Sequence, residues 1–178
     1  MASAAEVAAM RRAVELAARG ARTTRPNPNV GALVLDSTAD LAGEGWHERP
    51  GGPHAEVVAL DAAGDRARGG TVVVTLEPCT HTGRTGPCTK ALLVAGVRRV
   101  VYAVADPTPE AAGGADRLRA SGVDVEAGVL ADEAERVNAR WLTAVRLGRP
   151  YVVWKYAATL DGKVAAADGS SRWITGPP

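Results

Sequence analysis

Apolar residues recur at helical spacing over residues 4–19, where Val7, Met10, Val14 and Leu16 fall towards one side and Gly20 follows as a cap. The period then changes. "VGALVLD" (30–36) is an almost unbroken apolar run, the mark of a buried strand, and "LAGEGWH" (41–47) reads as its weaker hairpin partner. "HAEVVALDAAG" (54–64) suits a helix ending at Gly64, and "TVVVTLE" (71–77) is a β-branched run, the clearest strand in the chain. Beyond it the pattern predicts a helix over 89–96, a strand over 98–106, a helix near 113–121, a short strand over 123–129 and a long helix over 131–147. From residue 71 onward strands and helices alternate, which favours parallel pairing with helices on both faces of an α/β sheet.

The last stretch breaks that rhythm. After Gly-Arg-Pro, "YVVWKYAAT" predicts one more strand and "LDG" a turn, with no helix to follow. This reads as one domain over 1–148 followed by the opening of a second domain over 149–178, too short to build a core. Such a fragment is expected either to pack on the first domain or to stay mobile.

Composition narrows the function classes. The chain of 178 residues is 46% hydrophobic and 23% charged, ordinary for a soluble globular protein. A formal net charge of +1 argues against a large nucleic-acid footprint. No apolar run approaches the roughly 20 residues a membrane helix needs. The Ala-rich N-terminus carries Glu6 and Glu15 and lacks a signal-peptide core, so a cytoplasmic protein is expected. In that compartment the two cysteines, Cys79 and Cys88, are more often catalytic, metal-bound or buried than disulfide-linked.

Those cysteines sit in "LEPCTHTGRTGPC", and upstream "PGGPHAEVVAL" supplies a histidine with a glutamate two residues on. His54, Cys79 and Cys88 make three ligands for zinc and leave a fourth tetrahedral position open, as a catalytic site requires. His54 and Cys88 each open a predicted helix, where partial positive charge favours thiolate. Residues i and i+2 do not share a helix face. At a first turn, however, His54 and Glu56 can both point past the helix end, leaving Glu56 free for proton transfer. The tripeptide alone is weak, and so is a cysteine pair; their conjunction with two Pro-Cys dipeptides is not.

At this point the chain resembles the zinc-dependent cytidine-deaminase superfamily, whose signature runs H-x-E…P-C-x-x-C. Here eight residues, "THTGRTGP", separate the cysteines in place of two. That spacing, with "PNPNVG" upstream and "ADPTP" downstream, is similar to the deaminase domain of the bacterial bifunctional riboflavin-biosynthesis deaminase/reductases, and "RPYVVWKYAATLDGKVAAADGSSRWITG" is similar to the opening of their reductase domain.

The resemblance implies a three-layer α/β/α fold with a mixed central sheet and hydrolytic deamination of a diaminohydroxyphosphoribosylaminopyrimidine to 5-amino-6-(5-phosphoribosylamino)uracil and ammonia. It places Asn27, His47, His81, Arg84 and Asp106 on substrate-contacting positions, with Arg84 suited to the phosphate. It places Ser171 against the reductase substrate and Ala157 and Trp173 against NADPH, a cofactor only a complete reductase domain would hold. Thr108 and Gly86 depart from the family pattern, which has Asn and Pro there. The implied partner is a small molecule, with no nucleic acid and no membrane; a homo-oligomer is compatible with it. The rival readings are a deaminase of a free base, nucleoside or tRNA adenosine, and a non-catalytic zinc module. The short cysteine spacing of the former and the closed four-ligand sites of the latter both fit this chain less well.

Overall fold

The computed structural model describes residues 1–82 and 86–171. Helix α1 (Ala4–Arg19) opens with a reciprocal cap: the Glu6 amide donates to the Ser3 hydroxyl, and the Ser3 amide donates to the Glu6 carboxylate at 2.7 Å. Its buried stripe runs through Glu6, Ala9, Met10, Ala13, Leu16 and Ala17, while Val7 and Val14 stay half-buried at its edges. The expected side was therefore rotated: small alanines let the helix approach the sheet, and the bulkier valines flank the contact.

Strands β1 (Gly31–Leu35), β2 (Leu41–Trp46), β3 (Thr71–Leu76), β4 (Arg99–Val104) and β5 (Asp124–Ala127) form one sheet in the order β2-β1-β3-β4-β5. β1 pairs antiparallel with both β2 and β3, whereas β3–β4 and β4–β5 are parallel, as the alternation after residue 71 predicts. The sheet is mixed.

Helices α2 (Ala55–Ala63), α3 (Cys88–Ala95) and α4 (Gly114–Ala120) cover one face, over a core of Ala32, Val34, Val72, Val74, Val100 and Leu118. α1 and α5 (Ala131–Leu147) cover the other, over Leu33, Leu35, Val73 and Val101. Successive strand residues thus feed opposite cores, as period-two side chains must. Two layers of helix on one sheet make the α/β/α sandwich.

One close contact fixes where α2 lies. Gly43 and Gly45 of β2 face it, and a Cβ on Gly45 would stand 2.6 Å from the Val58 Cβ and 2.7 Å from the Ala59 amide nitrogen. Only glycine lets the helix rest on the strand backbone at that distance.

The predicted strand over 151–159 does not form. Residues 151–171 are irregular apart from local turns and almost entirely exposed, Trp154 at 82%. A strand gains stability from its ladder, and this segment finds none: the described sheet ends at β2 and β5 without it. Nor do the described tail residues pack on the domain before them.

Candidate active site

Three chain segments bring the predicted ligands to one point. His54 is the extended residue (φ −74°, ψ 158°) immediately before α2. β3 ends at Leu76, and Glu77 and Pro78 carry the chain to Cys79. Cys88 is the first residue of α3. The return of the loop is pinned, because the Thr89 amide and hydroxyl both donate to the Cys79 carbonyl at 3.2 Å.

His54 Nδ1 lies 3.0 Å from Cys88 Sγ and 3.6 Å from Cys79 Sγ, and the three ligand atoms lie within 4.8 Å of one another. Ligands at zinc bond lengths and tetrahedral angles stand roughly 3.5 Å apart for an N–S pair. The Cys79 pair matches that spacing, and the Cys88 pair stands closer, so the donor set suits the ion with a small outward shift of Cys88 or His54.

The Cys88 thiol donates towards Cys79, which pushes Cys79 down into the thiolate range and Cys88 up. The hydrogen bond to Cys79 also raises His54. Glu56, only 3% exposed, is pushed above the ordinary carboxyl range by its burial. It stands in the first turn of α2, beside the cage and inside the same pocket.

That pocket has a volume of about 240 Å³ and is lined by His54, Glu56 and Cys79 together with Asn27, His47, His81 and Asp106. The His47 Nδ1 faces the Pro53 carbonyl at 2.9 Å, an acceptor only, so Nδ1 carries the proton. Nε2 then accepts from the Asn27 side-chain Nδ2 at 3.0 Å. Burial lowers the His47 pKa and keeps the ring neutral in this role. Asp106 accepts from the Thr108 amide at 2.8 Å and from its hydroxyl at 2.6 Å, while burial pushes its carboxyl up. At Thr108 the departure from the family pattern therefore leaves a hydroxyl that orients Asp106.

The remaining predicted residues fall into two groups. Arg84 and Trp173 lie outside the described residues. Ala157 and Ser171 are on the exposed tail and line no part of the pocket.

Among the other lining residues, Glu77 and Trp141 shape the pocket most. Glu77, buried at the end of β3, accepts from the Ala115 amide at 2.9 Å and the Asp106 amide at 3.2 Å, tying the start of α4 and the Asp106 turn to the cysteine loop. Its signal was present: an acid ending an otherwise apolar strand, directly before Pro-Cys. Trp141 of α5 forms a far wall, and nothing local to that helix announces it.

Residues 4–104 match the family described as the cytidine and deoxycytidylate deaminase zinc-binding region, and residues 150–178 match the RibD C-terminal domain. The riboflavin biosynthesis protein RibD of Escherichia coli is 52% identical over 169 residues, which are 94% of this chain and 46% of that protein. RibD of Mycobacterium tuberculosis is 52% identical over 168 residues, 94% of this chain and 50% of its own. Among solved structures, Acinetobacter baumannii RibD superposes with a TM-score of 0.90 at 48% identity over 97% of this chain and 48% of its own. The Thermotoga maritima diaminohydroxyphosphoribosylaminopyrimidine deaminase/5-amino-6-(5-phosphoribosylamino)uracil reductase does so with a TM-score of 0.90 at 42% identity, over 97% of this chain and 50% of its own. The chain spans about half the length of these relatives.

Proposed function

Because the chain belongs to the cytidine and deoxycytidylate deaminase zinc-binding family, as a RibD-type deaminase domain with the start of a reductase domain, we propose that it deaminates a diaminohydroxyphosphoribosylaminopyrimidine in riboflavin biosynthesis. The observation that carries the reading is the convergence of His54, Cys79 and Cys88 beside a buried Glu56 that opens into a polar pocket. Residues 1–148 are the catalytic unit, and 149–178 belong to a reductase domain whose NADPH site needs more chain than this.

His54, Cys79 and Cys88 would hold zinc, whose contribution when bound is a water acidified to a pKa of about 7. Glu56 is placed to take a proton from the attacking water and hand it to the ring nitrogen, and a second transfer through the same carboxyl would free the exocyclic amine as ammonia. The balance is one water consumed, one C–N bond broken and one C–O bond formed. A carboxyl raised by burial suits this shuttle, since it must take up and release a proton in turn. Asn27, oriented by neutral His47, and Asp106 offer donors and acceptors to the ring edge. His81 stands at the exposed rim, and Arg84 belongs to the same cysteine loop, where a guanidinium can meet the substrate's phosphate.

The direct test measures ammonia release from the phosphoribosyl pyrimidine by the purified chain, with zinc determined on the same sample. Turnover that tracks zinc content supports the proposal. A chain with full zinc and no ammonia release from this substrate would sink it.

A further inference from the structure

We propose that Asn138 is a positioning residue for the pocket, acting through the loop that presents Asn27; its effect on catalysis rests on the deaminase reading above. Asn138 sits in mid-α5, where asparagine is a mediocre helix former, and it is 3% exposed. Burying a primary amide is unfavourable unless its donors and acceptor are met. Here they are met by one residue of a distant loop. The Asn29 amide donates to Asn138 Oδ1 at 2.7 Å, and Asn138 Nδ2 donates to the Asn29 carbonyl at 2.7 Å. A side-chain amide is thus standing in for a neighbouring strand, satisfying both main-chain groups of a loop residue.

The loop is fastened on both sides of Asn27. Asn29 Nδ2 donates to the Val137 carbonyl at 3.1 Å, and its Oδ1 accepts from the Thr24 hydroxyl at 2.7 Å. The Asn27 amide donates to the Thr24 carbonyl at 2.8 Å. With Pro26 and Pro28 on either side, Asn27 has little freedom except what this anchorage allows, and its side chain meets His47 across the pocket mouth. One turn further along α5, Trp141 lines the same pocket. The helix therefore serves the site twice, through a wall and through an anchor.

The alternative is that Asn138 merely fills space between α5 and the loop. Asn138→Asp separates the two, since it keeps the shape but turns the Nδ2 donor into an oxygen facing the Asn29 carbonyl. Asn138→Ala removes both bonds and serves as the second variant should the first fold poorly. The readouts, on the full 178-residue chain, are zinc content, hydrogen exchange at the Asn29 amide, and KM separately from kcat.

In Asn138→Ala, with two hydrogen bonds lost, KM should rise by about 10-fold or more while zinc is retained and Asn29 exchange accelerates; Asn138→Asp, which loses only the bond to the Asn29 carbonyl, should raise KM in the same direction. In an Asn27→Ala background the same change should add no more than about 2-fold, because the group it positions is already gone. An unchanged KM, or penalties that simply multiply in the double variant, would overturn the proposal. Unaccelerated Asn29 exchange would overturn the anchorage itself, and that measurement stands even if the parent chain releases no ammonia, the outcome that tells against the deaminase reading instead.

Discussion

Gly45→Ala tests whether the contact between β2 and α2 is what sets the active-site geometry. The added Cβ would sit 2.6 Å from the Val58 Cβ and 2.7 Å from the Ala59 nitrogen, where ordinary contact begins at 3.4 Å. Val58 can swing its Cγ1, 2.7 Å from the added Cβ, out of the way by a change of rotamer, although its own Cβ stays in place. The Ala59 nitrogen cannot, because it is helix backbone, so α2 must move off the strand by about 0.7 Å. His54 and Glu56 lie at the end of that helix, while Cys79 and Cys88 are held on β3 and α3. The displacement therefore opens the cage asymmetrically. Overpacking of this kind costs about 1–3 kcal/mol of stability. A misplacement approaching 1 Å at reacting groups costs on the order of 10²-fold in rate. Chemical denaturation, zinc analysis and ammonia release on one preparation would measure all three effects. The expected result is a folded protein, less stable by that amount, with weakened zinc retention and kcat reduced 10- to 100-fold in order of magnitude. Adding Val58→Ala should restore stability only in part, since the backbone clash remains. A Gly45→Ala protein with parental stability and parental kcat would refute the idea that this contact positions the site.

Three further outcomes are expected. Glu56→Gln should keep the fold and zinc but lose about 10²–10⁴-fold in kcat, because an amide cannot carry the proton; near-parental turnover would place the shuttle elsewhere. Cys88→Ser, at a fully buried position, should lose most zinc by elemental analysis, and full occupancy would remove Cys88 from the ligand set. NADPH titrated into the 178-residue chain by calorimetry should show no saturable binding, because the described tail residues expose their apolar side chains and wall no cleft; micromolar affinity would contradict that.

The elements that read correctly from the sequence share a physical feature: a strong local signal, and a neighbour in the fold to pack or pair with. "TVVVTLE" is β-branched from Thr71 to Thr75 and becomes the central β3, buried at every position from Thr71 to Leu76. Gly96 ends α3 in the left-handed region, where a glycine after an apolar run is expected to stand. "YVVWKYAAT" carries the same strand signal but needs a neighbour for its ladder, and propensity cannot supply one. The rotated stripe of α1 fails for a related reason. Counting large apolar residues favours Val7 and Val14, whereas close approach to a sheet favours Ala9, Ala13 and Ala17.

The site divides along the same line. Each group of the cage stands at a junction the sequence marks, a strand end before Pro-Cys or the first residues of a helix, so spacing alone brought His54, Glu56, Cys79 and Cys88 into consideration. The pocket around them is made of long-range contacts. Asn29 and Asn138 are 109 positions apart, Asp106 and Glu77 29 apart, and Asn27 and His47 20 apart. Asn138 and Glu77 act by hydrogen-bonding main-chain groups, and a backbone amide carries no residue identity that a motif could record. Chemistry that needs particular side chains leaves a pattern in the sequence. Positioning that needs only a donor and an acceptor at the right distance becomes visible when the sheet brings α5 against the loop after α1, which is why Asn138, silent in the sequence, is where the pocket's geometry is most open to experimental attack.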